Sequence, residues 1–189
     1  MTAQSEAHSY IEPMSRLEYD PAEASYRHWI AQGWDESADG VAAVISVMRT
    51  WQILLSRANT LLRPLGLTFA RYQVLGLLRS RHPLTLGQVG TSLWITPGTV
   101  TSSVDRLEAS EFIRRLPHPT DGRTVLVEIT PKGRKVVEKA VKLLNDGLFS
   151  ALPLSAQESA QLVKLMNKVR SDAGDVVGAP KKRARRKAQ

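Results

Sequence analysis

Residues 85–133 read TLGQVGTSLWITPGTVTSSVDRLEASEFIRRLPHPTDGRTVLVEITPKG, from Thr85 to Gly133. Thr85 and Gln88 have the spacing of a capping box, and the helix they open carries Leu86, Val89 and Leu93 on one face. A second helix opens at Thr96. Its hydroxyl can accept from an orphan backbone N–H, and Pro97 at the first helical position sacrifices no hydrogen bond. Val100, Val104 and Leu107 recur at helical spacing and form a buried face, which leaves Gly98, Thr99, Thr101, Ser102, Ser103 and Arg106 to point outward. After Ser110 the period changes. The runs 112–116 (FIRRL) and 124–129 (TVLVEI) flank Pro117, Pro119 and an Asp121-Gly122 turn, the pattern of a β-hairpin. A tight helix pair whose second member presents small hydroxyls and an arginine is the arrangement by which a helix-turn-helix reads base edges in a major groove.

These residues resemble the MarR (multiple antibiotic resistance regulator) family of winged helix-turn-helix repressors. Four features carry the resemblance: Leu67-Thr68 opening a helix that contains Val74-Leu75; Thr99-Val100-Thr101 with the run Val104 to Glu108; Ile113-Arg114-Arg115; and Asp121-Gly122-Arg123 followed by Leu126 and Ile129 to Gly133. Their order and spacing are specific, and a looser likeness extends from Val41 to Val169. Two positions depart from the family pattern. Glu111 stands where a glycine usually closes the recognition helix, and Gly90 stands where alanine is favoured.

The resemblance implies a mainly α fold with a small β-hairpin wing, a winged helix-turn-helix with N- and C-terminal dimerisation helices. It implies a homodimeric, sequence-specific DNA-binding regulator on double-stranded DNA with an inverted-repeat operator. The segment Thr96 to Arg106 would enter a major groove, with Thr96, Pro97, Gly98, Thr99, Thr101, Ser102 and Arg106 as contacts. Arg123 would be the minor-groove finger of the wing, held in place by Asp121. An arginine at a hairpin tip suits a narrow, strongly negative groove, and a nearby carboxylate can orient it. Trp51, Arg71 and Tyr72 lie where the family often places an effector pocket, for a small aromatic or anionic molecule.

The rest of the chain is organised around that reading head. Residues 1–18 are polar and without period, and are expected to be a disordered arm. A short helical extension is expected over 19–39, where Tyr26, Trp29 and Ile30 share one side and require cover from the body or a partner subunit. The domain proper spans 40–172, with its DNA-reading part at 67–133. It begins with a long amphipathic helix over 40–63 that carries Val41, Val44, Ile45, Met48, Trp51, Leu55, Ala58 and Leu62. After the wing, Thr130-Pro131 starts a helix through Val136, Val137, Ala140, Val141, Leu144, Leu148 and Phe149, and Ser155 with Glu158 caps another through Leu162, Leu165, Met166 and Val169. Residues 173–189 end in KKRARRKAQ and are expected to be a disordered basic tail.

Charge and composition restrict the alternatives. The formal net charge of +8 is uneven: residues 1–39 hold two basic and eight acidic groups, residues 40–83 hold six arginines and no acid, and residues 84–131 hold four basic and five acidic groups. The reading head is therefore not itself basic. Phosphate attraction must come from the flanking helices and from the tail, whose six charges resemble a localisation signal but suit non-specific DNA binding. The absence of cysteine excludes disulfides, thiol catalysis and cysteine redox sensing. No apolar run is expected to approach the roughly eighteen residues that span a bilayer, and the N-terminus lacks the order of a signal peptide, so a cytoplasmic protein without membrane contact is expected. His8, His28, His82 and His118 are scattered, and no phosphate loop or carboxylate pair appears, so no enzyme activity, metal or cofactor is expected. The alternative is an architectural, weakly specific DNA-binding protein without effector sensing, dominated by the tail.

Overall fold

The computed structural model describes residues 17–81 and 83–175. The expected arm and tail lie outside the described residues except at their inner ends, as do His8 and His82. The chain divides into two units, Met1–Ala151 and Leu152–Gln189.

In the first unit α1 (Pro21–Ala31) is capped by Asp20, whose carboxylate accepts from the Ala22 N–H at 2.9 Å. Gly33, at φ +74°, reverses the chain, and α1 packs back on the start of α2 (Asp35–Leu62) with Ala22 and Ala38 buried. Trp29 meets Trp34 edge-on at 5.5 Å, which gives the aromatic side of the extension partial cover and leaves Ile30 and Trp34 exposed. The long helix begins at Asp35, five residues before the apolar stripe from which it was read. Asp35 and Glu36 sit in its first turn, where acidic groups favour a helix N-terminus.

A short 3-10 turn (Arg63–Leu65) and Gly66, at φ +67°, lead to α3 (Phe69–Ser80), capped by Thr68. Asn59 reinforces that start by accepting from the Phe69 N–H at 2.7 Å. The strand β1 (Leu84–Thr85) runs directly into α4 (Leu86–Leu93), which is followed by α5 (Pro97–Ala109). The wing strands are β2 (Ile113–Pro117) and β3 (Val125–Ile129). The sheet is antiparallel in the order β1-β3-β2, with Leu84 opposite Val127 and Ile113 opposite Ile129. The expected hairpin is thus two strands of a three-stranded sheet. Two residues are too few to show an alternating pattern, so β1 left no trace in the sequence.

Thr130 caps α6 (Pro131–Leu144), which passes into a π turn at Asn145–Phe149. One core joins these elements. Ala58 and Leu62 of α2, Val74, Leu75 and Leu78 of α3, Val89 of α4, Val100, Val104 and Leu107 of α5, the sheet residues Ile113, Val127 and Ile129, and Val137, Ala140 and Leu144 of α6 are all buried. Two glycines mark close approaches. A Cβ at Gly133 would overlap the Phe112 carbonyl and lie 2.9 Å from Ile129 Cγ1, and one at Gly147 would lie 2.6 Å from Leu61 Cδ2.

By length and composition alone, Asp35–Leu65 is long and apolar enough to cross a bilayer, which corrects the expectation that no run approaches that length. Arg49 and Arg57 within it, and the anchoring of Ala58 and Leu62 in the core, fit an amphipathic helix of a winged domain instead. Its outer face is left open, with Val44, Val47, Met48, Trp51 and Ile53 exposed.

Among its described residues the second unit holds one helix, α7 (Ala156–Asp172), with the capping box formed between Ser155 and Glu158. The Ser155 hydroxyl and N–H both donate to Glu158, which holds that carboxyl below its ordinary range. Leu162, Val163, Leu165 and Val169 are exposed.

Candidate nucleic-acid interface

The pair α4 and α5 is built by its caps. In α4 the Thr85 Oγ1 accepts from the Gln88 N–H at 3.1 Å while Gln88 Oε1 accepts from the Thr85 N–H at 2.8 Å. At α5 the Thr96 Oγ1 accepts from the Thr99 N–H and shares a 3.0 Å hydrogen bond with the Thr99 hydroxyl. Gly90 sits where the two helices approach: a Cβ there would stand 3.3 Å from both the Ile95 carbonyl oxygen and Val100 Cγ2, so alanine would require those neighbours to give by a few tenths of an ångström.

Along α5 the outward face is as expected at all but one position. Thr96, Pro97, Gly98, Thr99, Thr101, Ser102 and Arg106 are exposed, and Gly98 has open space around the position of a Cβ. Ser103 is the exception. At 7% exposure it lies inside with Val100, Val104 and Leu107, because it follows Val100 by three residues and precedes Leu107 by four. The Thr101 hydroxyl donates back to the Pro97 carbonyl at 3.0 Å, which leaves its oxygen free to accept and its methyl available for apolar contact.

The wing is fixed to α5 by charge. Arg115 on β2 donates to Asp105 Oδ1 at 2.6 Å and to the Glu108 carboxylate, both on α5. The hydrogen bond that Arg115 donates to Asp105 is the largest of the influences that raise the Arg115 pKa above its ordinary value. On the other side of the hairpin Arg114 pairs with Glu128, directly opposite it in the β2–β3 register.

Glu111 occupies the departure position at φ +60°, the left-handed conformation that a glycine would take. Two contacts hold it there. Its carbonyl accepts from the Thr130 hydroxyl at 2.7 Å, and its carboxylate accepts from Lys132 Nζ at 2.6 Å. The Lys132 hydrogen bond lowers the Glu111 pKa.

At the wing tip Asp121 binds within its own turn. Its Oδ2 accepts from the Thr124 hydroxyl at 2.6 Å and its Oδ1 from the Arg123 N–H at 3.0 Å, and these bonds, the first the stronger, lower its pKa. Among the described residues neither Arg123 nor Arg106 forms an ion pair. Asp121 thus shapes the turn that presents Arg123 and does not hold its guanidinium, which differs from the side-chain pairing expected.

The three residues expected at an effector pocket are only partly brought together. Trp51, 51% exposed, meets Phe69 edge-on at 6.3 Å, and Phe69 stacks on Tyr72 at 5.8 Å. Desolvation raises the Tyr72 pKa. Arg71 is engaged in the loop before α3, donating to the Gly66 carbonyl at 3.0 Å and to Thr68 Oγ1 at 3.2 Å. A separate open groove on α2 is lined by Gln52, Leu55, Ser56, Asn59, Thr60 and Arg63, none of which the sequence reading singled out except Leu55 as part of the apolar stripe. Its polar residues lie at helical spacing, the one signal that could have found it. Among the described residues no group of three or more histidine, aspartate or glutamate side chains could hold a metal ion.

A scan against family models matches the MarR family over residues 67–125, the stretch from Leu67 to the start of β3. The multiple antibiotic resistance protein MarR of Escherichia coli strain K12 is 34% identical over 113 residues, covering 59% of this chain and 78% of that protein. A mutant MarR from E. coli solved in complex with operator DNA has a TM-score of 0.59 at 31% identity, covering 67% of this chain and 95% of that one. A MarR family transcriptional regulator from Streptomyces coelicolor has a TM-score of 0.68 at 37% identity, covering 74% of this chain and 98% of that one. Bordetella bronchiseptica BpsR, whose DNA binding is regulated by 6-hydroxynicotinic acid, has a TM-score of 0.61 at 29% identity, covering 65% of this chain and 89% of that one. With the capped helix pair, the clamped wing and these likenesses together, the chain belongs to the MarR family of winged helix-turn-helix transcriptional regulators.

Proposed function

We propose that the protein is a homodimeric repressor that binds an inverted-repeat operator and is released by a small aromatic or anionic effector. The observation that carries the DNA-reading part is the exposed row on α5, Thr96 to Arg106, tied through Arg115 to a wing whose Arg123 is exposed and free of ion pairs among the described residues. Small hydroxyls and an arginine can hydrogen-bond base edges, and a free guanidinium at a hairpin tip suits a narrow minor groove. The operator-bound MarR relative supports this reading.

The dimer rests on apolar surface. The open face of α2 and the exposed leucines and valines of α7 are more than a soluble monomer ordinarily leaves in water. Half-site centres should then lie about one helical turn apart, roughly 34–36 Å.

The effector is the finer part of the proposal, supported by the BpsR relative and by the cluster of Trp51, Phe69 and Tyr72. Phenolic acids that raise the melting temperature of wild type but not of Trp51→Ala would support that cluster. An identical response in both would remove Trp51 from the site.

For the whole proposal the test is selection of bound sequences from random DNA, followed by binding to one selected and one scrambled duplex. An enriched inverted repeat with a large affinity ratio is expected. A ratio near one would support the architectural alternative and overturn the repressor.

A further inference from the structure

The turn between α4 and α5 contains the most exposed large hydrophobic side chain among the described residues, Trp94, at 69%. Its backbone is left-handed, at φ +53° and ψ +47°, where glycine or asparagine is the ordinary choice. The surroundings require that conformation. The N–H groups of both Trp94 and Ile95 donate to the Gly90 carbonyl, Ile95 then turns onto the core, and Thr96 caps α5. The chain must reverse within one residue. It does so with an indole that makes no ring contact and no side-chain hydrogen bond among the described residues.

A tryptophan on a left-handed backbone, standing in water, is unfavourable twice over, so its benefit lies outside the chain. We propose that Trp94 is a duplex-contacting residue, its indole packing on the deoxyribose–phosphate backbone at the edge of the groove that α5 enters and its Nε1–H donating to a phosphate oxygen. This rests on the DNA-binding reading given above. Three observations favour a nucleic-acid backbone as the occupant. First, two peptide units separate Trp94 from Thr96, so their Cα atoms are no more than about 7.6 Å apart, and backbone contacts that set the docking of a reading helix come from such flanking residues. Second, residues 84–131 hold four basic and five acidic groups, so phosphate contacts close to the groove must draw largely on neutral donors. An indole N–H is one. Third, the exposed residues of α4, the helix that Trp94 ends, are Gly87, Gln88, Thr91 and Ser92, which offer no apolar patch for a protein partner to cover.

The experiment uses the full chain with Trp94→Gly, Trp94→Phe and Arg106→Ala, each bound to the selected operator and to a scrambled duplex across a salt series. Glycine relieves the left-handed backbone, so the melting temperature of Trp94→Gly should not fall. Its affinity for both duplexes should drop by a similar factor, about fivefold to thirtyfold. Because no cation is removed, the slope of affinity against salt should stay at the wild-type value. Trp94→Phe keeps an aromatic ring but has no N–H to donate, so it should recover only part of the affinity. In the wild type, acrylamide quenching of tryptophan fluorescence should fall when duplex is added, and this protection should be absent in Trp94→Gly. Unchanged duplex affinity in Trp94→Gly, a lowered melting temperature, or loss of the dimer in sedimentation with DNA affinity intact would each overturn the proposal. If Arg106→Ala weakens operator binding while Trp94→Gly does not, only the Trp94 contact fails. If the wild type binds neither duplex, the DNA-binding reading fails with it.

Discussion

The reading head and the long helix α2 treat apolar surface in opposite ways. Across α4, α5 and the wing, Val89, Val100, Val104, Leu107, Ile113, Val127 and Ile129 are all buried, and charged pairs close the outside. In α2 only Ala38, Ala58 and Leu62 of 28 residues are buried, while Val44, Val47, Met48, Trp51 and Ile53 face out. The first region buries its core within one chain and, among its described residues, leaves only Trp94 and Val125 as exposed large apolar side chains. The second has the composition of a core with half of that core missing, so its stability should depend on protein concentration where that of the reading head does not.

The largest effect expected is in the reading head. Leu107→Ala should cost about 2–5 kcal/mol of unfolding free energy, measured by denaturant titration, because the site sits where α5 meets the sheet and cannot collapse. A cost near zero would show that this core is loosely packed and would erase the contrast. Met48→Glu comes next. It should leave the chain folded by circular dichroism yet weaken the proposed dimer by about 2–3 kcal/mol in sedimentation, since each protomer would bring a carboxylate into an otherwise apolar face. An unchanged dimer would show that the open face of α2 has another use.

Arg123→Ala should weaken binding to the selected operator by about 1–3 kcal/mol and affect scrambled DNA much less. Equal losses on both duplexes would reduce the wing to a non-specific contact. Arg115→Met should cost about 1 kcal/mol of stability, because the pairs it loses are partly solvated. Its effect on operator affinity should exceed its effect on stability, as the wing would no longer be set by α5.

The smallest effect is at Glu111. Relief of the left-handed backbone in Glu111→Gly should roughly offset loss of the exposed ion pair with Lys132, leaving stability at neutral pH nearly unchanged. Glu111→Gln isolates the charge. The folded-state pKa of Glu111 is lowered, so its contribution is present above the ordinary glutamate pKa and is lost as the pH falls through the lower folded value. The difference in melting temperature between wild type and Glu111→Gln should shrink over that acid range. A difference that persists below it would assign the effect to packing.

Much of this comparison is legible in the amino-acid sequence alone, because caps and periods are local. The capping boxes at Thr85 and Ser155, the Thr96-Pro97 start and the buried Val100, Val104 and Leu107 need only the spacing of a helix. The remainder is set by distant partners. Strand β1 exists only because Leu84 and Thr85 meet β3 some forty residues away. Glu111 adopts a glycine's conformation because Thr130 and Lys132 hold it, and propensity alone speaks against it. Ser103 is misassigned by residue type although its spacing from Val100 and Leu107 places it inside. The roles of Asp121 and Arg71 are hidden in a different way: each spends its hydrogen bonds within its own turn, on one backbone group and one threonine hydroxyl.

The link from Arg115 to Asp105 and Glu108 has a geometric consequence. By fastening a wing strand to the reading helix, it sets the distance between the hairpin tip and the face of α5 before any duplex arrives. The two would then act as a fixed gauge and not as independently searching probes. Such a gauge loses little conformational freedom on docking, and it cannot stretch to follow a helix wound too tightly or too loosely. Operators identical in every contacted base but differing in twist between the grooves should therefore be told apart.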